Sequence, residues 1–134
     1  MITIIAKGLR AKLTGDATIS ASVGARVYLE NAGEDSALPY IVMSLVSGGS
    51  TNDTPRDALD ENWQIKAVAD AGATALTLES AIRAALHDAA ITYDAPWYHL
   101  DCQHEAPFYF VEHADRRQYY HAGGTYRIRA TENY

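Results

Sequence analysis

The apolar run ALPYIVMSLVSGGS, residues 37–50, constrains the fold more than any other stretch of this chain. It enters through Pro39, whose missing N–H costs least at the first position of a strand, and it leaves on a Gly-Gly pair. We therefore predict a strand from Pro39 to Ser47 that is buried on both faces. The cover for this strand must come from 134 residues, 48% hydrophobic and 21% charged, which suffice for a single domain, residues 1–134.

The rest of the chain predicts two helices and further strands. Apolar residues recur at helical spacing over residues 2–13 and 72–90. Apolar and β-favouring runs predict strands over residues 25–31, 62–69, 97–104, 108–113, 116–122 and 125–132. This order is typical of an α+β fold, a single domain with an antiparallel or mixed β-sheet and two helices packed on one face.

The helix over residues 72–90 has the clearest amphipathic pattern. Three side chains share its apolar stripe and are expected to cover the strand of residues 40–46: Leu78, Ile82 and Leu86. Three others fall on the solvated side: Glu79, Arg83 and His87. Asp70 is placed to cap this helix. Leu76 also falls on the polar side, where it is either a solitary exposed leucine or part of a subunit contact together with Arg83.

Charge and cysteine content narrow the classes of function. Against 17 acidic side chains there are 11 basic ones, and the net charge of −6 disfavours a grip on nucleic acid phosphates. The single cysteine, Cys102, cannot form an internal disulfide, which fits a reducing cytoplasm. The N-terminal segment reverses the charge order of a signal peptide, and no run approaches the roughly 18 apolar residues of a membrane span. We expect no membrane association.

A polar, turn-rich connection is predicted from Ser47 to Glu61, about fifteen residues long, and loops of this length are often functional. We interpret it as the first candidate contact surface, with candidate interface residues Ser47, Asp53, Arg56, Asp57 and Asp60. The acidic residues could instead serve acid–base chemistry or a hard cation. They lack the order of a calcium loop and an apolar pocket that would raise a carboxyl pKa, so a solvated acidic loop is favoured.

The segment HLDCQH brings His99, Cys102 and His104 close in sequence. On a regular strand Cys102 and His104 share one face and His99 points through the other, so the three cannot hold one zinc ion. The Gly-Gly pairs lack the spacing and lysine of phosphate-binding loops, and no serine sits in a nucleophile elbow. We therefore predict no catalytic residue, no metal site and no cofactor.

Tyrosine is the compositional oddity, with nine in the chain and seven of them from Tyr93 onward. Tyrosine is enriched where proteins meet proteins, although it also favours strands. The segment RRQYY supplies four more candidate interface residues: Arg116, Arg117, Tyr119 and Tyr120. The pattern favours an interaction protein over an enzyme.

Three motifs, in this order, resemble the tail completion or tail terminator proteins of long-tailed bacteriophages. They are GARVY at residues 24–28, LPYIV at residues 38–42 and AIRAAL at residues 81–86. The likeness covers essentially the whole chain, and HLDCQHEAPFYFVEHADRRQYYHAGG is its least typical part.

The resemblance implies a structural virion protein that forms a ring, usually a hexamer, at the head-proximal end of the tail tube. Such a ring ends tube growth and joins tail to head at the neck, so the implied partners are further copies of the chain, the tail tube protein and a head connector protein. DNA would pass through the lumen without specific binding. A head-closure or adaptor ring on the connector side is the near alternative, and a small-molecule-binding protein or enzyme is the distant one.

Overall fold

The computed structural model describes residues 4–32, 36–50, 58–114 and 116–132. The elements within these residues follow the order α1 Ile4–Gly15, α2 Ala17–Val23, β1 Val27–Leu29, β2 Tyr40–Ser50, β3 Ala58–Ala69, α3 Gly72–Leu86, β4 Trp97–Ala114 and β5 Arg117–Glu132. The strands form one sheet in the order β1-β2-β3-β5-β4. β1 runs parallel to β2 and the other pairs are antiparallel, so the sheet is mixed and the predicted α+β class is confirmed.

One face of the sheet carries the hydrophobic core. Ile41 and Met43 of β2 lie in it with Ile65 of β3 and Ile128 of β5, all fully buried. The helices contribute a second apolar layer: Ile5, Leu9 and Leu13 of α1, Ile19 and Val23 of α2, and Leu78, Ile82 and Leu86 of α3. Burial of each such side chain stabilises the fold by about 1.5–3 kcal/mol. The predicted α3 stripe is therefore confirmed, but α3 packs mainly against β5 and β3 and is not the cover of β2.

A third helix, α2, occupies a stretch that the sequence pattern predicts as a connection. The Asp16 carboxylate accepts the N–H of Ile19 at 3.0 Å and so caps the N-terminus of α2. The same Gly15-Asp16 pair that ends α1 thus begins the next helix. Seven residues rich in β-branched and hydroxyl side chains give too weak a periodicity to predict this helix.

The predicted loop from Ser47 to Glu61 is wrong at both ends. β2 continues to Ser50 and β3 begins at Ala58, and Gly48 pairs with Glu61 inside the antiparallel ladder. The register shifts between Leu45 and Ser47, so a β-bulge at Val46 carries the strand past the point where the apolar pattern stops. Gly48 has a φ of +124°, which glycine tolerates without leaving the sheet.

The C-terminal third forms two long strands where four short ones are expected. β4 has 18 residues and β5 has 16, and they pair from Trp97 and Glu132 to Ala114 and Arg117. The Gly-Gly pair lies inside β5 and makes no bend. A Cβ on Gly123 would lie 2.4 Å from the backbone oxygen of Ile65, so glycine here permits close packing of β5 on β3.

Three details of α3 differ from expectation. Its N-cap residue is Ala71, without a side-chain cap, and Asp70 does not fill that role. Glu79, predicted on the solvated side, is instead buried, 7% exposed, because the guanidinium of Arg83 donates to its carboxylate at 2.5 Å. The helix ends at Leu86, four residues before the predicted end, and His87 is its C-cap.

Candidate assembly surfaces

The face of the sheet opposite the helices divides into two halves along the strands. In the first half, which we name the ladder half, charged side chains alternate across β3, β5 and β4. The Arg127 guanidinium donates to both oxygens of Asp60, with the shorter contact at 2.6 Å, and Arg129 pairs in the same two-pronged way with Asp101. Hydrogen bonds from these guanidinium groups hold the pKa of both carboxyls below its usual range.

The second half, which we name the aromatic half, contains Tyr40, Lys66, Phe108, Phe110 and His121. The rings of Phe110 and His121 stack with centroids 4.4 Å apart, and the ammonium of Lys66 lies 5.7 Å from the Phe110 centroid. Burial lowers the pKa of His121, although its Nε2 lies 3.0 Å from a Glu112 carboxylate oxygen. This half combines aromatic rings with the charged groups of Lys66 and Glu112, and the described helices pack on the opposite face.

β4 and β5 extend together past the end of β3. Ala69, the last residue of β3, pairs with Tyr120, so among the described residues the pairs from Glu112 and Tyr119 to the turn have no third strand beside them. We name residues 109–114 of β4 and 116–120 the arm. It exposes three apolar side chains and two arginines: Tyr109 at 43%, Phe110 at 46% and Val111 at 39%, with Arg116 and Arg117 at the turn. Tyr109, Phe110 and Val111 pair with β5 residues that also pair with β3, so only the part of the arm beyond Val111 and Tyr120 is a two-stranded ribbon, which is marginal in water by itself.

Hydrogen bonds from helix and loop residues cover part of the outer edges of the sheet, and we call the covered parts guarded. On β4, the Asp88 N–H donates to the Cys102 carbonyl at 2.9 Å, and the His104 N–H donates to His87 Nδ1 at 3.1 Å. On β1, the Val27 carbonyl accepts from Arg10 Nε at 3.2 Å. Such contacts satisfy edge groups that would otherwise pair with another chain.

Among the described residues β1 and β4 are the edge strands of the sheet, and we consider two stretches of edge as contact surfaces. One is residues 108–114 of β4, named here the open β4 edge. The other is residues 46–50 of β2, the open β2 edge, because β1 pairs only with Ile41–Met43. Val46, 60% exposed, lies at the bulge that begins this edge, and the Glu30 carboxylate beside it accepts the Leu45 N–H at 3.1 Å.

The predicted interface residues fall into three groups. Arg116, Arg117, Tyr119 and Tyr120 come together in the arm. Ser47 and Asp60 lie on β2 and β3 near the ladder half, where Asp60 is engaged by Arg127. Leu76, 47% exposed, lies on α3 with Arg83, away from both. The remaining three residues of the prediction lie outside the described part of the chain: Asp53, Arg56 and Asp57.

The histidine–cysteine segment is arranged differently from the prediction. A register shift between His99 and Asp101 makes His99 pair with Ala130, while Cys102 pairs with Ile128 and His104 with Tyr126. All three side chains therefore lie on the helix-covered face, and the expectation that His99 points through the sheet is wrong, because the bulge at Leu100 inserts one residue. Across the described residues, no three histidine, cysteine or acidic side chains are grouped so as to hold a metal ion.

The buried Cys102 thiol and the Asp16 carboxylate both serve structure in this fold. Burial raises the pKa of the Cys102 thiol to about 12, which keeps it protonated and non-nucleophilic. A groove of about 420 Å³ runs beside α1, but its lining includes only one acid and one base, Asp16 and Lys12, and Asp16 is used as the α2 cap. In the parts of the chain that are described, no helix has both the length and the apolar content to cross a membrane.

Sequence reasoning missed the exposed apolar residues of the arm and of the β2 bulge. A signal for the arm was present in PFYFV, because successive side chains of a strand point to opposite faces and five apolar residues in a row cannot all face one core. Val46 gave no such signal, because its exposure follows from a bulge and from the early end of β1.

The comparisons with known proteins agree with an assembly subunit. A chain from the solved virion of a native gene transfer agent particle has the same fold, with a TM-score of 0.68 over 92% of this chain and 91% of that chain at 20% identity. No curated protein matches the sequence. The family model described as tail completion protein gp17 matches residues 7–131, so the chain belongs to that family. It is a structural protein of a phage tail, and the predicted family resemblance is confirmed.

Proposed function

We propose that copies of this chain form a closed ring at the head-proximal end of the tail tube, where the ring ends tube growth and presents the surface that joins tail to head. Family membership over residues 7–131 is the observation that carries the proposal. The partners are then further copies of the chain, the tube protein and a head connector protein. The protein would be assembled in the host cytoplasm and reside at the neck of the virion.

The two edges of the sheet support a ring. The open β4 edge and the open β2 edge lie on opposite sides of one sheet, so two copies that meet through unlike edges each keep one edge for a further copy. Contacts between unlike surfaces of identical copies generate rings where the rotation closes. A ring built in this way needs no active site, in keeping with the unreactive state of Cys102 and the engagement of Asp60 and Asp101 in ion pairs.

The acidic balance fits passage of DNA through such a ring. Six copies at −6 carry a formal charge of about −36, and acidic side chains around a lumen would repel the phosphate backbone and prevent it from sticking. An electron cryo-microscopy map of the assembled tail tests whether acidic side chains line the lumen. A basic lumen would contradict this part of the proposal.

Deletion of the gene from a producing phage, with the wild-type chain supplied from a plasmid as the control, tests the proposed function. Tails of uncontrolled length that do not join heads are the expected result. Tails of normal length beside heads that leak DNA would point instead to a head-closure or adaptor ring on the connector side. Normal, infectious particles without the chain would refute both roles.

A further inference from the structure

We propose that the arm of one copy docks on the open β2 edge of a second copy, and that this contact between unlike surfaces links successive subunits. The inference rests on the proposed ring and names the surfaces that build it. Both surfaces combine an uncovered strand edge with exposed apolar side chains: Tyr109, Phe110 and Val111 on the arm, and Leu45 and Val46 on β2. Exposed apolar edges of this kind are sites of strand pairing between chains.

The guarded parts of the sheet single out these two stretches. His87 and Asp88 occupy the edge of β4 at Cys102 and His104, and Arg10 occupies the edge of β1 at Val27. Equivalent covers do not occur over residues 108–114 among the described contacts. Exposed apolar side chains lie on both parts of β4, Tyr98 and Leu100 on the guarded part and Tyr109, Phe110 and Val111 on this one, so the missing cover is what distinguishes residues 108–114. The difference indicates that the uncovered stretches meet another chain.

Charge complementarity argues that the partner is a second copy. Arg116 and Arg117 are exposed at the turn of the arm, whereas the exposed Glu30 carboxylate lies beside the open β2 edge, where it accepts the Leu45 N–H. Opposite charges around an apolar contact fix its orientation and discourage arm-to-arm or β2-to-β2 pairing, which would bring like charges together.

The same copy cannot make this contact with itself. In the sheet order the two open edges belong to β4 and β2, three strand spacings or roughly 14 Å apart, and they lie toward opposite ends of the strands. Each copy therefore offers one arm to a neighbour and receives one arm from another. Strands inclined to the ring axis accommodate the resulting offset between successive sheets, as inclined strands do in closed barrels.

A mixing experiment tests the pairing of unlike surfaces. Val111→Asp alters only the arm and Val46→Asp alters only the β2 edge, and both side chains are exposed, so both variants should fold. By sedimentation-velocity ultracentrifugation each variant alone is expected to be monomeric, while an equimolar mixture should give heterodimers that stop at two copies, since only one intact contact is available. Leu100→Asp, which changes a 54% exposed residue on the guarded part of β4, is the matched control and should form rings like the wild type.

Charge reversal tests the orientation. Arg116→Glu with Arg117→Glu, and separately Glu30→Lys, should each weaken association by about tenfold or more at low salt, and the mixture of the two variants should recover it. Circular dichroism melting of each monomer establishes that it is folded.

The possible outcomes separate this contact from the ring itself. If the wild-type chain forms rings, alone or on isolated tail tubes, and Val111→Asp and Val46→Asp form them equally well, the arm contact is wrong and the ring stands. Absence of heterodimers in the mixture, with both variants folded and monomeric, also overturns the contact. If the wild-type chain forms no ring in either setting, the proposed function fails and the contact with it.

Discussion

The two faces of the sheet differ in what holds them, although neighbouring residues of the same strands form both. One face is stabilised by burial and the other by ion pairs and ring stacking. On β5, Tyr126, Ile128 and Ala130 are fully buried beneath the helices, while Arg127 and Arg129 between them form ion pairs on the opposite face. The helix-covered face stabilises the fold by burial and tolerates little change. The opposite face is held by ring stacking and ion pairs, so under the proposed arm contact exposed substitutions in the arm would change association more than stability.

The largest expected effect separates buried from exposed leucines on one helix. Leu86→Ala truncates a fully buried side chain and leaves a cavity in its place, which should reduce the free energy of unfolding by about 2–5 kcal/mol. Leu76→Ala on the same helix, where the side chain is 47% exposed, should change it by less than about 0.5 kcal/mol. Urea unfolding of both variants measures the difference, and equal losses would contradict the assignment of the two faces of α3.

The second largest expected effect on the free energy of unfolding comes from the close packing of β5 on β3. Gly123→Ala places a Cβ 2.4 Å from the Ile65 backbone oxygen and 2.6 Å from the Lys66 Cα, and should reduce the free energy of unfolding by about 1–3 kcal/mol.

Gly15→Ala is the control for this substitution. Apart from its chain neighbours and the backbone of its own helix, no described atom lies within 4 Å of the new methyl group at the end of α1, so this variant should be neutral or more stable by up to about 1 kcal/mol. Thermal melting of both proteins measures the difference in stability. A Gly123→Ala variant as stable as the wild type would show that β3 and β5 are less closely packed than described.

Histidines on both faces predict a pH dependence. Burial lowers the pKa of His99, His104 and His121 below the ordinary value of 6.5, so the folded state favours the neutral rings. Stability from this source is complete above pH 6.5, and falls as the pH drops below 6.5 towards the folded-state pKa values, because the unfolded chain then binds more protons.

His121→Gln should therefore flatten the slope of unfolding free energy against pH between about pH 5 and 7. His113→Gln, which changes an exposed side chain of the arm, controls for the loss of an imidazole elsewhere in the chain. Chemical unfolding at a series of pH values measures both slopes, and a wild-type stability that rises on acidification through this range would contradict the assignment.

The smallest expected effect concerns the ladder half. Asp60→Asn removes one partner of a two-pronged surface ion pair and should cost no more than about 1 kcal/mol of unfolding free energy, and less at high salt. Asp94→Asn is the matched control, because the Asp94 and Lys7 side chains are both about 60% exposed, and it should have almost no effect. A salt-independent loss in Asp60→Asn larger than that of Gly123→Ala would reverse the ranking of the two faces.

Several parts of the fold were readable from the sequence because their signals are local. The α3 stripe of Leu78, Ile82 and Leu86 repeats at helical spacing, and the alternation of Tyr126 and Ile128 with Arg127 and Arg129 is enough to assign the two faces of β5. The tail completion motifs were also readable, since their order along the chain suffices. Arg116, Arg117, Tyr119 and Tyr120 are predicted from the sequence as interface residues and lie together in the arm, whereas the exposed Val111 beside them is not singled out by the sequence.

The sequence by itself determined the fold class, the amphipathic faces and the family, because each depends on periodicity or on the order of short motifs. Tertiary structure alone decided where β2 and β4 lose their neighbours, that the bulge at Leu100 turns His99 to the helix-covered face, and that Glu79 is buried. These features depend on register and on which strands lie side by side. Backbone pairing between residues far apart in sequence fixes both, and no local pattern of side chains encodes that pairing.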